Sequence, residues 1–440
     1  MATALCLGGI GAVFLAAVIN TFRKRSPPPP PPLPETKSVR LLYYETTGCM
    51  GLSAISSLTI FKGAAPTEDL RVRLSDITKA NPWLSGRLVR RPGKKVTLEY
   101  NPGSSSISPC PAVPLDEIPV GTVDLCAPYD AMMASICETR AVVPLGRKLV
   151  NVEGDGGRLF RVTLIHGVVK GDPCFALFVS MSHVIADGHS YYSVLNMLSR
   201  SAPVVSLSPE RKCMFDTLVP KLLGEDVIAF YRNSLASAVN RLYHTYLTRQ
   251  APARVFLVDP KKCETTKRGG SGEVAFVSTN DITTSSFLNL SNTDVGSMVI
   301  NLRGRVPGLL DSDAGNYMAG ILFLPDDFRF PSLVRKALQN GFRRASRTPP
   351  RPLPMGWARF RANMAIATNW ASFFNGLELR GCTQLAHLPL PLLRTRLYIH
   401  SLAVFFRPRP GELAVLVYSD TFDLAKDPDS PFGEELTTFF

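Results

Sequence analysis

The run CFALFVSM (174–181) is followed by Ser182-His183 and, four residues after the histidine, by Asp187-Gly188. An apolar run of this length, bounded by turn signals, suits a buried strand. In the segment after it, SYYSVLNMLSR (190–200), Tyr191, Val194, Leu195 and Leu198 fall on one face of a helix. The chain is therefore predicted to leave a sheet at His183 and to enter a helix after Gly188. Upstream, RLFRVTLIHGVV (158–169) has a strand pattern, and Gly171-Asp172 reads as a turn. The two strands are expected to pair as a hairpin.

The rest of the chain continues this alternation of strand and helix. Residues 67–80 read as a helix opened by Thr67, with Glu68 and Asp69 in its first turn. NPWLSGRLVR (81–90) reads as a turn and then a strand, and the Ser- and Pro-rich stretch 101–122 as loop. Further strands are expected at 273–278, 297–302, 319–324 and 412–418. A chain of 440 residues exceeds one typical core. The expected fold class is α/β: two mixed-sheet domains, 37–205 and 251–440, joined by a helical crossover at 206–250.

The N-terminus carries a different signal. Residues 2–22, ATALCLGGIGAVFLAAVINTF, contain no charge and are long enough to span a bilayer as a helix. Arg23, Lys24 and Arg25 follow at once, and no Lys or Arg precedes the segment. That asymmetry points to a single-pass anchor over residues 1–25, with the remaining chain facing the cytosol and the endoplasmic reticulum as the expected membrane. The rival reading is a cleaved signal, which normally has a basic residue before its apolar core. The linker 26–36 contains six consecutive prolines. It reads as a polyproline II spacer of roughly 20–30 Å, or else as a ligand for a proline-binding domain.

Formal net charge is +13, which favours anionic partners such as a phosphate-bearing ligand or an acidic membrane surface. No zinc-ligand spacing or RNA-binding signature accompanies it, so nucleic acid is not expected as a partner. The nine cysteines are irregularly spaced and include no CxxC pair, which suits reduced thiols. Neither a resident cofactor nor a metal is expected. An imidazole with a reference pKa of about 6.5, fixed at a strand exit, suits a general base near neutral pH. The plainer alternative is a buried histidine at a strand end beside a solvated Asp187.

The order of short motifs along the chain resembles the chloramphenicol acetyltransferase-like acyltransferases, whose signature is His-x-x-x-Asp-Gly. The closest likeness is to the BAHD-type acyl-CoA-dependent enzymes. SHVIADGHS (182–190) resembles the signature, NPWLSGRL (81–88) an early turn, and GRLFRVTLI (157–165) the strand before the signature. FVSTNDITT (276–284), VINLRGRVPGLLDSDAGNY (299–317) and ATNWASFF (367–374) resemble segments of the second domain. The Asp-Phe-Gly-Trp-Gly block of the plant enzymes is replaced by LELRGC (377–382), which marks a divergent branch.

The resemblance implies an active site in a tunnel between two domains. It makes His183 the general base and has Asp187 pair with an arginine, for which Arg303 is the matching position. Gly188 would be structural, and Asn316 would shape the domain junction. Thr368 and Trp370 would line the pocket or donate to the developing oxyanion; Trp370 also reads as plain core. Acyl-CoA would be the co-substrate and an alcohol or amine the acceptor, handled by a monomer. The basic stretch 341–361 would meet CoA phosphates, anionic lipid or solvent alone. Two other functions fit such a chain: a catalytically inactive binding or scaffold protein, and a carrier-protein-dependent condensation enzyme. A hydrolase would want a Gly-x-Ser-x-Gly elbow, and none is present.

Overall fold

The computed structural model describes residues 27–31, 35–103, 112–169, 171–232, 251–269, 274–391 and 399–438. Its strands, in chain order, are β1 Lys37–Arg40, β2 Ile55–Lys62, β3 Arg87–Val89, β4 Thr97–Tyr100, β5 Leu115–Ile118, β6 Phe160–Val169, β7 Asp172–Met181, β8 Ala253–Val258, β9 Val295–Asn301, β10 Met318–Phe323, β11 Met364–Asn369, β12 Thr383–Pro389, β13 Ser401–Phe406, β14 Ala414–Ser419 and β15 Phe432–Glu435. They form three sheets, β1-β4-β3, β12-β2-β7-β6-β5 and β10-β9-β11-β13-β14-β8-β15. One apolar core takes the five-stranded sheet together with one face of β13 and β14 (Leu402, Val404, Phe406, Ala414, Leu416 and Tyr418), and a second lies on the opposite face of the seven-stranded sheet.

The hairpin expected from the sequence is present. β6 and β7 pair antiparallel from Phe160 opposite Met181 to Val169 opposite Asp172. Gly171 sits in the turn at φ +86°, a backbone region that glycine enters without steric cost. Every residue of β7 from Cys174 to Met181 is buried, so both faces of the sheet are covered. A doubly covered strand has no solvent face to fill, hence the unbroken apolar run instead of alternation. The helix Gly188–Asn196 then buries Tyr191, Tyr192, Val194 and Leu195.

Several expectations need correction. Residues 274–278 are not a strand: Ser278 caps the helix Thr279–Leu290, and Ser278 and Asp281 bond each other's backbone N–H in a capping box. That local pairing outweighs the apolar character of the residues before it. The stretch 101–122 includes β5, which pairs parallel with β6. Within 206–250, residues up to 214 are largely irregular before the helices Phe215–Leu223 and Glu225–Arg232. The second half also does not keep to itself, because β12 pairs antiparallel with β2 and closes one edge of the first sheet.

The N-terminal readings fare differently. Residues 2–22 lie outside the described residues, and among those described no helix is long and apolar enough to cross a membrane. The proline run does not stand away from the body. Asn151 Nδ2 donates to the Pro27 carbonyl at 2.7 Å, Arg87 donates to that of Pro31, and Pro30 is buried. Polyproline carbonyls have no partners of their own, so nearby donors capture them.

His387 fastens the crossing strand. Its ring lies 2.9 Å from Thr59 Oγ1 and 3.0 Å from the Tyr192 hydroxyl, and it stacks on Phe374. Burial pushes this imidazole down to about 3. Below about pH 6.5 the unfolded chain takes up a proton that the folded protein refuses. The stability contributed is therefore complete above that pH and is lost as pH falls toward 3, with a slope of up to about 1.4 kcal/mol per pH unit. Replacing His387 with Gln should flatten the fall in urea-unfolding stability between pH 6.5 and pH 5 by most of that slope. An unchanged slope would show that His387 is not excluded from protonation.

Candidate active site

His183 lies two residues beyond β7, where the sheet fixes the chain's exit. Loop 302–317, between β9 and β10, crosses from the second half and meets it. Asn316 Oδ1 is 3.1 Å from His183 Nδ1, and Asn316 Nδ2 donates to the His183 carbonyl at 2.9 Å. Asn316 Nδ2 also donates to Glu45 Oε1 at 3.1 Å. Both of its amide contacts on that side are acceptors, so the NH2 group must lie there and Oδ1 must face the ring. The ring nitrogen facing Oδ1 is then the donor. His183 carries its proton on Nδ1, aided by its own carbonyl, and Nε2 is the basic nitrogen. Burial lowers the ring's pKa below its ordinary value, against the opposing pull of that carbonyl, Asp187, Asn316 and Glu45. The ring is neutral at pH 7.

Asp187 does two jobs. Its Oδ1 accepts from Ser190 N at 2.9 Å and caps the helix Gly188–Asn196, where the helix dipole favours an anion. Both carboxylate oxygens also accept from Arg303, at 2.7 and 3.3 Å. These side chains are 4% and 0% exposed. Burial alone would raise the Asp187 pKa; the charge and hydrogen bonds of Arg303 outweigh that and hold it below the usual carboxylate range. Arg303 also donates to Ser190 Oγ and to the Gly315 carbonyl, and Tyr317 N donates to Asp187 Oδ2. Asp187 thus points into the junction between the halves, and what it orients is the loop that carries Asn316.

Gly188 and Trp370 meet. A Cβ on Gly188 would lie 3.4 Å from Trp370 Nε1, and the Gly188 φ is not positive. Its backbone does not require a glycine, and a side chain there would meet the indole at ordinary van der Waals distance. Trp370 N is tied to the Phe405 carbonyl just past β11, and its ring packs edge-on to Tyr192. Thr368, half-buried on β11 opposite Val404 of β13, has no side-chain hydrogen bond to His183, Asp187 or Asn316. The structure thus joins His183, Asp187, Arg303 and Asn316 in one network, packs Gly188 against Trp370, and leaves Thr368 apart.

Sequence reasoning missed Glu45 and Arg211. The Glu45 carboxylate accepts from Arg211 Nε at 3.0 and 2.9 Å, and both side chains are wholly buried. Arg211 also donates to the carbonyls of Ile185 and Ala314, one in each half. Nothing in YYETT or in the irregular stretch around Arg211 signals this pairing, which exists only once the chain is folded. Cys49 Sγ lies 4.0 Å from His183 Nδ1, and burial raises that thiol's pKa well above its usual value, so it stays protonated.

The Asp187–Arg303 pair makes a direct prediction. Asp187→Asn leaves a buried guanidinium without its counter-charge, which should cost about 3–5 kcal/mol of stability in urea unfolding. Normal stability with lost function would instead assign Asp187 a role in the chemistry itself.

No protein-family profile matches the sequence, and no curated protein matches it. Solved structures do. Vinorine synthase aligns at a TM-score of 0.57 and 13% identity, covering 94% of this chain and 96% of that one. TRI101 of F. graminearum, in a complex with coenzyme A and T-2 mycotoxin, aligns at 0.54 and 14% identity, covering 91% and 99%. The first condensation domain of the CDA synthetase aligns at 0.53 and 14% identity, covering 90% and 94%. At such identity the likeness speaks for the fold, and it extends over nearly the whole of each protein. The chain shares with them the chloramphenicol acetyltransferase-like fold.

Proposed function

We propose that this protein is an acyltransferase that moves an acyl group from acyl-CoA to the hydroxyl or amine of a small, lipophilic acceptor. The observation that carries the reading is the half-buried His183 ring. It sits at the meeting of the two halves, is neutral, and has Nδ1 committed to Asn316 so that Nε2 is the base. The shared fold with vinorine synthase and with TRI101, whose structure holds coenzyme A, supports the donor class. The carrier-protein donor of a condensation-type enzyme is the second reading, favoured by the likeness to the CDA condensation domain.

In this mechanism His183 Nε2 takes the proton of the acceptor hydroxyl or amine as its oxygen or nitrogen bonds to the thioester carbonyl carbon. Negative charge collects on the former carbonyl oxygen, where the family resemblance would have Thr368 Oγ1 and Trp370 Nε1 donate. The C–S bond then breaks, and the imidazolium returns its proton to the departing thiolate. The products are the acylated acceptor and free CoA, with no covalent acyl-enzyme. Asp187 and Arg303 stay paired throughout.

Residues 2–22 complete the proposal as a membrane anchor. With Pro27 held at Asn151, four residues separate that segment from the body, a reach of about 14 Å when fully extended. The body would sit against the bilayer surface, near lipophilic acceptors.

Two experiments test these readings. Free-thiol release from acyl-CoAs of increasing chain length should depend on an added pool of alcohols and amines. His183→Ala should lose it by at least a hundredfold while keeping CoA binding and thermal stability. Release without acceptor would make the protein a hydrolase, and full activity in His183→Ala would sink the mechanism. Separately, full-length protein should resist carbonate extraction from membranes, and deletion of residues 1–25 should release it; carbonate-extractable full-length protein would refute the anchor.

A further inference from the structure

The buried Glu45 has no place in the mechanism above, yet it touches the group that orients the base. Asn316 carries an amide that presents either Oδ1 or Nδ2 to the His183 ring, and the choice decides which ring nitrogen holds the proton. Glu45 Oε1 accepts from both Asn316 N and Asn316 Nδ2, at 3.0 and 3.1 Å. Its other oxygen accepts from Leu42 N at 2.9 Å, which completes the capping of the helix Tyr43–Thr47. An ionised carboxylate only accepts, so it rejects an Asn316 oxygen turned toward it. Arg211 supplies the balancing positive charge and is itself anchored to both halves.

We infer that Glu45 is a positioning residue for the base. Held by Arg211, it fixes the Asn316 amide so that His183 keeps its proton on Nδ1 and offers Nε2 to substrate. The inference rests on His183 being the base, but its structural core, the tautomer, is observable without turnover. Glu45 acts through Asn316 and does not touch the reacting atoms. Substrate binding is untouched by it, whereas the fraction of enzyme with a competent base depends on it. The His183 carbonyl is a second acceptor for Asn316 Nδ2, so loss of Glu45 weakens the preference without abolishing it.

The test separates positioning from mere charge balance. Glu45→Leu alone strands the Arg211 charge and is expected to lower stability. The double variant Glu45→Leu/Arg211→Leu removes both buried charges together, an exchange that proteins often tolerate. Imidazole 15N spectra of full-length protein, with the His183 signal identified by its loss in His183→Ala, report the tautomer directly. In the double variant we expect thermal stability to recover, while the His183 spectrum gains an Nε2-protonated population. The kcat should fall in proportion to the Nδ1-protonated fraction that the spectrum reads, with KM within about twofold. A double variant with wild-type kcat and an unaltered tautomer would overturn the inference. So would a KM rise that accounts for the whole loss. If wild-type protein releases no thiol from any acyl-CoA, the proposed activity fails, while the spectra still decide whether Glu45 sets the tautomer.

Discussion

Four buried charges at one junction constrain the rest of the structure. Glu45 and Arg211, Asp187 and Arg303 have side chains at most 4% exposed. Ions removed from water cost several kcal/mol each unless paired and hydrogen-bonded, so no member can move without stranding another. The pairs bridge elements remote in sequence: a short N-terminal helix, the loop after β7, the irregular stretch near Arg211 and the loop before β10. Their shared requirement for partners forces loop 302–317 of the second half against the His183–Gly188 loop of the first. A backbone bond from Asp187 N to the Gly315 carbonyl, and Tyr317 N donating to the Asp187 carboxylate, complete the clamp. His183 takes its position from that clamp, because Asn316 is the next residue along the captured loop.

A second fastening lies at the edge of the first sheet. β12 leaves the second half, pairs with β2 over most of its length and buries His387 among Thr59, Tyr192 and Phe374. The two fastenings differ in kind. The strand exchange is apolar and extensive and holds the halves together in bulk; the charged clamp is small and directional and sets their register at the site. Tyr192 links the two, since its hydroxyl meets His387 while its ring packs against Trp370, which in turn covers Gly188. A disturbance at the β12 edge therefore has a short path, through packed aromatics, to the start of the helix that Asp187 caps.

The elements that sequence alone revealed are those whose information is local. β6, β7 and the helix Thr67–Ala80 show themselves through run length and periodicity, and the helix after Gly188 through its apolar face. The strand expected at 273–278 is absent over its described residues, 274–278, because a Ser-x-x-Asp capping box directly downstream governs that stretch. β12 was invisible as a member of the first sheet, since its partner lies more than 300 residues away. At the site, His183, Asp187 and Gly188 stand out because they are close in sequence, and Arg303 and Asn316 came with the resemblance. Glu45 and Arg211 carry no pattern at all. Their significance is a matter of burial and pairing, properties that a one-dimensional reading does not contain. The proline run misled for a related reason: its stiffness is local, but the donors that capture its carbonyls are not.

Why use ion pairs where apolar residues would cost less to bury? Buried pairs are weak contributors to net stability and strong contributors to register, because only one arrangement satisfies every donor and acceptor. An apolar junction here would tolerate sliding by a side-chain width, and under the proposed mechanism a base displaced by about 1 Å would lose roughly a hundredfold in rate. An apolar junction would also leave only the His183 carbonyl to orient the Asn316 amide. Carboxylates answer both problems, since each demands donors at fixed places and refuses acceptors. The chain thus spends its costliest burial where two loops from different sheets must hold one imidazole in one tautomer, and leaves ordinary apolar packing to hold the remaining bulk.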